Sequence, residues 1–160
     1  MPLNESAEKF VLVVDDEALV RSTLKRTVIG SVAREPDTPD FRVVEADNAA
    51  SAIALLTQES AGKLIALFCD HNMDHTGNGQ NVMNHAMSAE IGVPASSIAY
   101  ITDADREHPD HRIAYADKHG IFLTDKPFRI SETKAWLLER LRAAQSTATE
   151  AAGSDTEIKE

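Results

Sequence analysis

Five short apolar runs recur along this 160-residue chain, and a segment with helix-like spacing of apolar residues follows each of them. The runs are FVLVV (10–14), FRVVEA (41–46), LIALFC (64–69), SIAYIT (97–102) and IFLT (121–124). Apolar residues at intervals of three and four are typical of amphipathic helices. Strands that alternate with helices predict a parallel sheet that helices cover on both faces. We therefore expect a single α/β domain.

Glycine and proline residues set the predicted ends of the helices. Gly30 and Gly120 are predicted to end the first and the fourth helix, and Pro109 suits the first turn of the fourth. The last helix is predicted to begin near Ser131. We expect the folded domain to cover 8–145. The small and polar residues of 146–160 predict a disordered acidic tail or linker.

Charge and composition exclude several classes of protein. The formal charge is −10, from 16 basic and 26 acidic side chains, which argues against direct binding of nucleic acid. No apolar run approaches the roughly 20 residues that cross a bilayer, and the N-terminus lacks the pattern of a secretory signal. The single cysteine, Cys69, cannot form an internal disulfide and fits a buried strand. We expect a cytoplasmic protein without membrane contact.

Polar residues stand where the predicted strands end. Asp15 and Asp16 follow the first strand, Asp70 the third, Thr102 ends the fourth, and Lys126 follows the fifth. In sheets of this type, functional groups gather at the carboxyl ends of the strands. Clustered carboxylates that stay ionised near neutral pH need a cation, because a like charge raises the pKa of its neighbour. Hard oxygen ligands in a compact site favour Mg²⁺.

The same cluster predicts phosphoryl-transfer chemistry. An aspartate between a metal ion and a lysine, as predicted for Asp70, is well placed to act as a nucleophile that forms an aspartyl phosphate. Phosphoryl transfer requires mainly positioning and neutralisation of charge. The metal ion, the Lys126 ammonium and the Thr102 hydroxyl would supply both.

Several sequence blocks resemble, in this order, the blocks of a known family. They are VLVVDDEALVRSTLKRTV, FRVVEADNAASAIALL, FCDHNMDHTGNG, YITDAD and DKPF. The family is the response regulator receiver domains of bacterial two-component signalling, of the chemotaxis-regulator type. Each motif is common by itself, but all of them at the ends of predicted strands form a specific pattern. The resemblance covers roughly 8–145. It implies a flavodoxin-like (βα)5 fold with strand order 2-1-3-4-5.

The resemblance also implies roles for individual residues. Asp70 matches the phospho-acceptor, and Asp15 and Asp16 match the acidic pair that binds Mg²⁺ together with it. Asn72 lies two residues after the acceptor, where the backbone carbonyl completes the metal shell in the family. Thr102 matches the hydroxyl residue that bonds a phosphoryl oxygen.

Lys126 matches the lysine that pairs with the phosphate. The Lys-Pro bond at this position is typically cis in the family, so the resemblance implies a cis bond between Lys126 and Pro127. Asp70, Thr102 and Lys126 are therefore the expected catalytic residues.

This chain departs from the family pattern near the site. Met73-Asp74 replaces the usual Met-Pro, and Asp103 follows the switch hydroxyl in place of Ala. We expect both acids to be solvated loop residues rather than metal ligands. Leu123 occupies the position of the family's switch aromatic, and Phe122 precedes it. Either Phe122 takes that role through a shift of one residue, or aromatic gating is absent.

Histidines suggest a metal site of another kind. His71 and His75, or His108 and His111, have spacings compatible with Zn²⁺. A single cysteine and the lack of a compact four-ligand pattern argue against a structural zinc site.

The sequence therefore predicts a signalling module and not an enzyme. It would accept a phosphoryl group on Asp70 from a histidine kinase or a histidine phosphotransfer protein and then switch a partner surface. The resemblance places downstream effector binding on the 105–119 helix, the 121–124 strand and the last helix, and it allows a homodimer.

A predicted sheet of this type could also serve three other functions. A receiver-like interaction domain would not use its acceptor. An aspartate-dependent phosphohydrolase would need a second Asp where Asn72 stands. A flavin-binding module is disfavoured, because the acidic DDEAL would repel a phosphate group.

Overall fold

Five parallel strands form one sheet in the computed structural model, which describes residues 3–59, 61–73, 77–103, 111–126 and 128–157. The order in the sheet is β2-β1-β3-β4-β5, which confirms the predicted flavodoxin-like topology. The strands are β1 (Phe10–Val14), β2 (Arg42–Ala46), β3 (Leu64–Asp70), β4 (Ile98–Thr102) and β5 (Phe122–Asp125). All five overlap the apolar runs of the sequence, and their ends agree with the predicted ones to within one residue.

Helices follow the strands in alternation. The first, α1, consists of the consecutive segments Ala18–Leu24, Lys25–Ile29 and Gly30–Val32. The others are α2 (Ala49–Gln58), α3 (Gly79–Met87), α4 (His111–His119) and α5 (Ile130–Glu157). Short 3-10 turns at Ala61–Lys63 and Ala95–Ser97 precede β3 and β4. Within the described residues, no helix is long and apolar enough to cross a membrane.

Two apolar cores lie on opposite faces of the sheet, because side chains alternate along each strand. Leu12 and Tyr100 belong to the core on the face of α2, α3 and α4, together with Met83 and Ala116. The second core lies beneath α1 and α5 and contains Val11, Val13, Leu24, Val28, Ile101, Leu137 and Leu141. Strands buried on both faces are typical of parallel sheets. The sheet is thus covered on both faces, as predicted.

The first helix continues past the glycine that was expected to end it. Gly30 has a helical φ of −63°, and its N–H donates to the Lys25 carbonyl in a π-type turn. Ile29 and Val32 are buried in the core against the sheet. Their burial outweighs the roughly 1 kcal/mol that a glycine costs inside a helix. The prediction at Gly30 was therefore wrong.

The other predicted helix ends lie close to the observed ones. Gly120 follows α4 with a φ of 71°, a left-handed conformation that suits a glycine after a helix. Pro109 lies outside the described residues. The last helix begins at Ile130, next to the predicted Ser131, and its backbone continues to Glu157, past the predicted domain end at residue 145. The division into 8–145 and 146–160 stays a prediction.

The connection from β3 to α3 is tightly packed and sets the position of Asp70. Asn78 and Asn81 form a capping box at the start of α3, and the Gly79 N–H donates to the His71 carbonyl at 3.0 Å. A Cβ atom at Gly79 would lie only 2.1 Å from the Asp70 carbonyl oxygen. The start of α3 can approach the end of β3 this closely because residue 79 has no side chain.

We expect Gly79→Ala to lower the free energy of unfolding by roughly 2–4 kcal/mol, because the methyl group forces β3 and α3 apart. Urea unfolding followed by circular dichroism measures the change. Gly92→Ala is the control: its Cβ would meet no atom within 4 Å, so only the left-handed backbone costs about 1 kcal/mol. A loss at Gly79 no larger than that at Gly92 would contradict the close approach.

Candidate functional site

A buried ion cluster forms at the carboxyl edge of the sheet. The Lys126 Nζ lies 3.2 Å from Asp15 Oδ2 and 3.2 Å from Asp70 Oδ1. Asp15 follows β1, Asp70 ends the central strand β3, and Lys126 follows β5. The strand order therefore brings together three residues that are far apart in sequence.

Backbone hydrogen bonds hold Asp15 and Lys126 in place. The Asp15 N–H donates to the Ala46 carbonyl at 3.1 Å, and the Lys126 N–H donates to the Thr102 carbonyl at 3.1 Å. Asp15 Oδ1 accepts a hydrogen bond of 2.9 Å from the backbone N–H of Glu17. The ends of β2 and β4 thus support the cluster that the other strands form.

The two aspartates are almost completely buried. Asp15 is 0% exposed and Asp70 is 2% exposed. Asp70 Oδ2 has no hydrogen-bond donor among the described residues. A buried carboxylate oxygen without a partner is costly, so it indicates a place for a group that the protein binds.

Burial has a large effect on the acidity of Asp70. Desolvation, with a further contribution from the charge of Asp15, raises the pKa of Asp70 from 3.8 to about 7, although Lys126 acts in the opposite direction. The pKa of Asp15 is also raised, chiefly by burial. Without a further positive charge, Asp70 is partly protonated at neutral pH.

In Lys126 the charged form is favoured, whereas in Asp70 burial favours the neutral form. Burial by itself would lower the pKa of its ammonium group, but the charges of Asp70 and Asp15 outweigh burial and raise it. Lys126 therefore stays charged and supplies one positive charge to two buried carboxyl groups.

Two exposed acids extend the cluster toward solvent. Asp15, Asp16 and Glu17 form a group whose ligand atoms all lie within 4.8 Å of one another, the one such group found in the described part of the chain. Glu17 also lies 3.7 Å from Lys126 Nζ. Glu17 was not among the predicted site residues, although it follows the aspartate pair directly.

The donor set fits a hard divalent cation. Carboxylate oxygens of Asp15 and Asp16 lie together, and Asp70 Oδ2 lacks a partner. Mg²⁺ is commonly bound by one or two carboxylates and several waters. Its charge would also favour the ionised form of Asp70.

The remaining predicted residues lie in or after β3 and β4. Thr102 is buried at the end of β4, and Asn72 is exposed two residues after Asp70. Asp103 forms a 2.9 Å ion pair with Arg112, in keeping with a loop acid rather than a metal ligand. The rings of His71 and His111 lie 5.3 Å apart.

Asp74, His75, His108 and Pro127 lie outside the described residues.

Phe122 and Leu123, the two candidates for the position of the switch aromatic, pack on opposite faces of the sheet. Phe122 stacks on Trp136 with ring centroids 5.3 Å apart, and Trp136 also contacts Phe68 edge to face. Leu123 packs with the core on the face of α3 and α4. Phe122 therefore packs on the face of the sheet opposite to that of Leu123, and a shift of one residue does not bring its ring to the position of the family's switch aromatic.

Solved structures with the same architecture were found, whereas no protein-family model and no curated protein matches the chain. A CheY-like response regulator receiver domain protein from Methanospirillum hungatei is 16% identical with a TM-score of 0.63, over 87% of this chain and 98% of that one. The response regulator domain of CheB from Thermotoga maritima is 22% identical with a TM-score of 0.60, over 86% and 96%. The chain has the fold of a response regulator receiver domain.

A third structure bears on the metal. The receiver domain of a sensor histidine kinase from Pseudomonas aeruginosa, described with a magnesium ion coordinated in its active-site cleft, is 17% identical with a TM-score of 0.63. The similarity covers 86% of this chain and 99% of that one. At these identities the similarity establishes the receiver fold, while the roles of individual residues in this chain stay predictions.

We expect Asp70→Asn to stabilise the metal-free protein at pH 8, by roughly 1–3 kcal/mol, because it removes a buried charge. A carboxyl group whose folded pKa is raised destabilises the folded state increasingly as pH rises between its unfolded and folded pKa. The difference between variant and wild type should therefore grow from pH 4 to pH 7, the window set by 3.8 and about 7.

Urea unfolding in EDTA at several pH values measures this difference. Asp117→Asn, which changes an exposed aspartate of α4, is the control and should show no such rise. A stability difference for Asp70→Asn that does not change with pH would contradict the effect of burial on Asp70.

Proposed function

We propose that this protein is a phosphorylation-controlled signalling module of a two-component pathway. It accepts a phosphoryl group on Asp70 from a histidine kinase or a histidine phosphotransfer protein in a Mg²⁺-dependent reaction. The observation that carries the proposal is the Asp70 carboxyl group, which is buried, lies 3.2 Å from Lys126 and has one oxygen without a partner. Such an oxygen is a suitable nucleophile.

The transfer is a single displacement at phosphorus. A carboxylate oxygen of Asp70 forms a bond to phosphorus while the bond from phosphorus to the donor's imidazole nitrogen breaks. The electron pair of the broken bond stays with the nitrogen, and the imidazole leaves as a neutral group once it is protonated. The product is an acyl phosphate, and the protein supplies positioning and positive charge.

Individual residues have distinct roles in this proposal. Asp15, Asp16, Asp70 and the backbone carbonyl of Asn72 would hold Mg²⁺, and the bound ion would supply positive charge to the phosphoryl oxygens. Lys126 contributes a second positive charge. The Thr102 hydroxyl bonds a phosphoryl oxygen after transfer.

The phosphoryl group then changes the population of two conformations of the protein, because it makes better contacts in one of them. A downstream effector recognises that conformation on the face formed by α4, β5 and α5. The protein acts in the cytoplasm, and it modifies itself rather than turning over a substrate.

Phosphohydrolase activity is less well supported than signalling. Asn72 has no carboxyl group, so it cannot serve as the general acid that such an enzyme needs two residues after its nucleophile. An interaction domain that leaves Asp70 unmodified would not need a buried carboxylate and lysine at the sheet edge, because an unpaired buried polar atom costs stability.

Incubation with acetyl phosphate and Mg²⁺ is expected to add one phosphoryl group, detected as a gain in intact mass. EDTA should abolish the gain, alkali should reverse it, and Asp70→Asn should not show it. Asp117→Asn is the control that should be modified like wild type. Beryllofluoride with Mg²⁺, a mimic of the phosphoryl group, tests the site without a donor. Failure of both probes would exclude the proposal in favour of the interaction domain.

Lys126→Met is expected to slow modification by acetyl phosphate roughly 10- to 100-fold, because it removes a positive charge beside the transferred group. It should also raise the pKa of Asp70 further, since Lys126 lowers it. Lys118→Met, at an exposed position of α4, is the matched control. The time course of intact mass gives the rate of modification for each variant. Equal rates for Lys126→Met and Lys118→Met would show that Lys126 does not contribute to the reaction.

A further inference from the structure

A buried tyrosine is bonded to the residue that follows Asp70. Tyr100 lies in β4, is 0% exposed, and its hydroxyl shares a hydrogen bond with His71 Nδ1. The two rings lie 5.9 Å apart. This contact joins the end of β3 to the middle of the core beneath α3 and α4.

The hydroxyl of Tyr100 is suited to donate its proton to His71. The Gln80 Nε2 donates to this hydroxyl at 3.4 Å, so the hydroxyl proton is available for the imidazole nitrogen. Burial raises the pKa of Tyr100, and the group therefore stays protonated. Gln80 lies in the first turn of α3, which brings that helix into the same network.

The backbone of His71 also interacts with the side chain of Asp70, the proposed phospho-acceptor. A backbone hydrogen bond from His71 to the Asp70 carboxylate lowers the pKa of Asp70. The His71 carbonyl accepts from the Gly79 N–H at 3.0 Å. A displacement of the Asp70 carboxylate thus changes the backbone that carries the His71 ring.

The network continues from Tyr100 to the protein surface. The Tyr100 and Tyr115 rings pack edge to face at 6.1 Å. The Tyr115 hydroxyl donates to Asn84 Oδ1 of α3, and its ring lies 4.6 Å from that of His119. Asn84 is exposed, and Tyr115 and His119 are half-buried. These three residues define the α3–α4 patch.

The sheet register relates Tyr100 to the missing switch aromatic. Tyr100 pairs with Leu123 of β5, and both side chains belong to the core on the face of α3 and α4. An aromatic residue is therefore present at this level of the sheet, but it lies on the neighbouring strand.

We propose that the Tyr100 hydroxyl, through His71, transmits the state of Asp70 to the α3–α4 patch. The inference rests on the proposed function, since it requires a phosphoryl group on Asp70. That group adds bulk and charge beside the His71 N–H, so the His71 ring and the Tyr100 hydroxyl adopt a new arrangement. Tyr115, which packs on Tyr100, then moves relative to Asn84. The Tyr100 hydroxyl and the His71 ring act through the His71 backbone, so both are positioning groups.

The test compares wild type with Tyr100→Phe, which removes only the hydroxyl group. Fluorine NMR measures binding of beryllofluoride with Mg²⁺ at Asp70, and amide NMR measures the response of Asn84, Tyr115 and His119. We expect binding to stay within about threefold of wild type while the shifts in the patch fall to roughly half or less. A merely structural loss would not separate binding from response in this way.

Two further variants complete the experiment. His71→Phe removes the other partner of the bond and should reproduce the loss, so it decides the matter if Tyr100→Phe does not fold. Tyr115→Phe keeps the bond between His71 and Tyr100, so it should retain the response of the His71 amide while reducing that of Asn84.

The outcomes separate the two proposals. If wild type neither binds beryllofluoride nor gains mass with acetyl phosphate, both proposals fail. If wild type binds and the patch responds equally in Tyr100→Phe and His71→Phe, the inference fails alone. It also fails if a folded Tyr100→Phe loses binding itself, because the hydroxyl would then support the site rather than transmit its state.

Discussion

The contact of one ammonium group with two buried carboxyl groups governs the architecture of this protein. Lys126 bonds Asp15 and Asp70 from a strand that is separated from β3 by β4. It reaches them because its backbone is bonded to the Thr102 carbonyl at the end of β4. The parallel sheet, the strand order and the lengths of β3, β4 and β5 must all agree for these atoms to meet. A slip of one residue in any of these strands would turn its terminal side chain to the opposite face.

The cluster of Asp15, Asp70 and Lys126 contains fewer positive than negative groups. Two buried aspartates and one lysine leave an excess negative charge where water is excluded, and burial raises the pKa of Asp70 to about 7. A core optimised for stability alone would contain apolar residues here. A site with excess negative charge instead attracts a divalent cation more strongly than a neutral site could. The buried negative charge lowers the stability of the fold locally, a cost that is common at functional sites.

The sheet and the meeting of Asp15, Asp70 and Lys126 could be predicted from the sequence, because apolar runs and the residues that follow them are local features. Gly30 shows where local rules fail: the burial of Val32 decides that the helix continues. The network through Tyr100 and His71 could not be predicted, since these residues meet only when β3 and β4 pair. Glu17 was visible beside the aspartate pair, but its approach to Lys126 depends on how the chain turns into α1.

Trp136 offers a spectroscopic consequence of the two-faced core. It is the only tryptophan of the chain, and it stacks on Phe122 and contacts Phe68 beneath α5. Tyr100 and the α3–α4 patch lie on the other side of the sheet. Tryptophan emission therefore reports how α5 packs on the sheet. Tyrosine absorbance and emission, in contrast, sample the opposite face, because both tyrosines, Tyr100 and Tyr115, belong to it. One unlabelled sample thus carries a separate optical probe for each face.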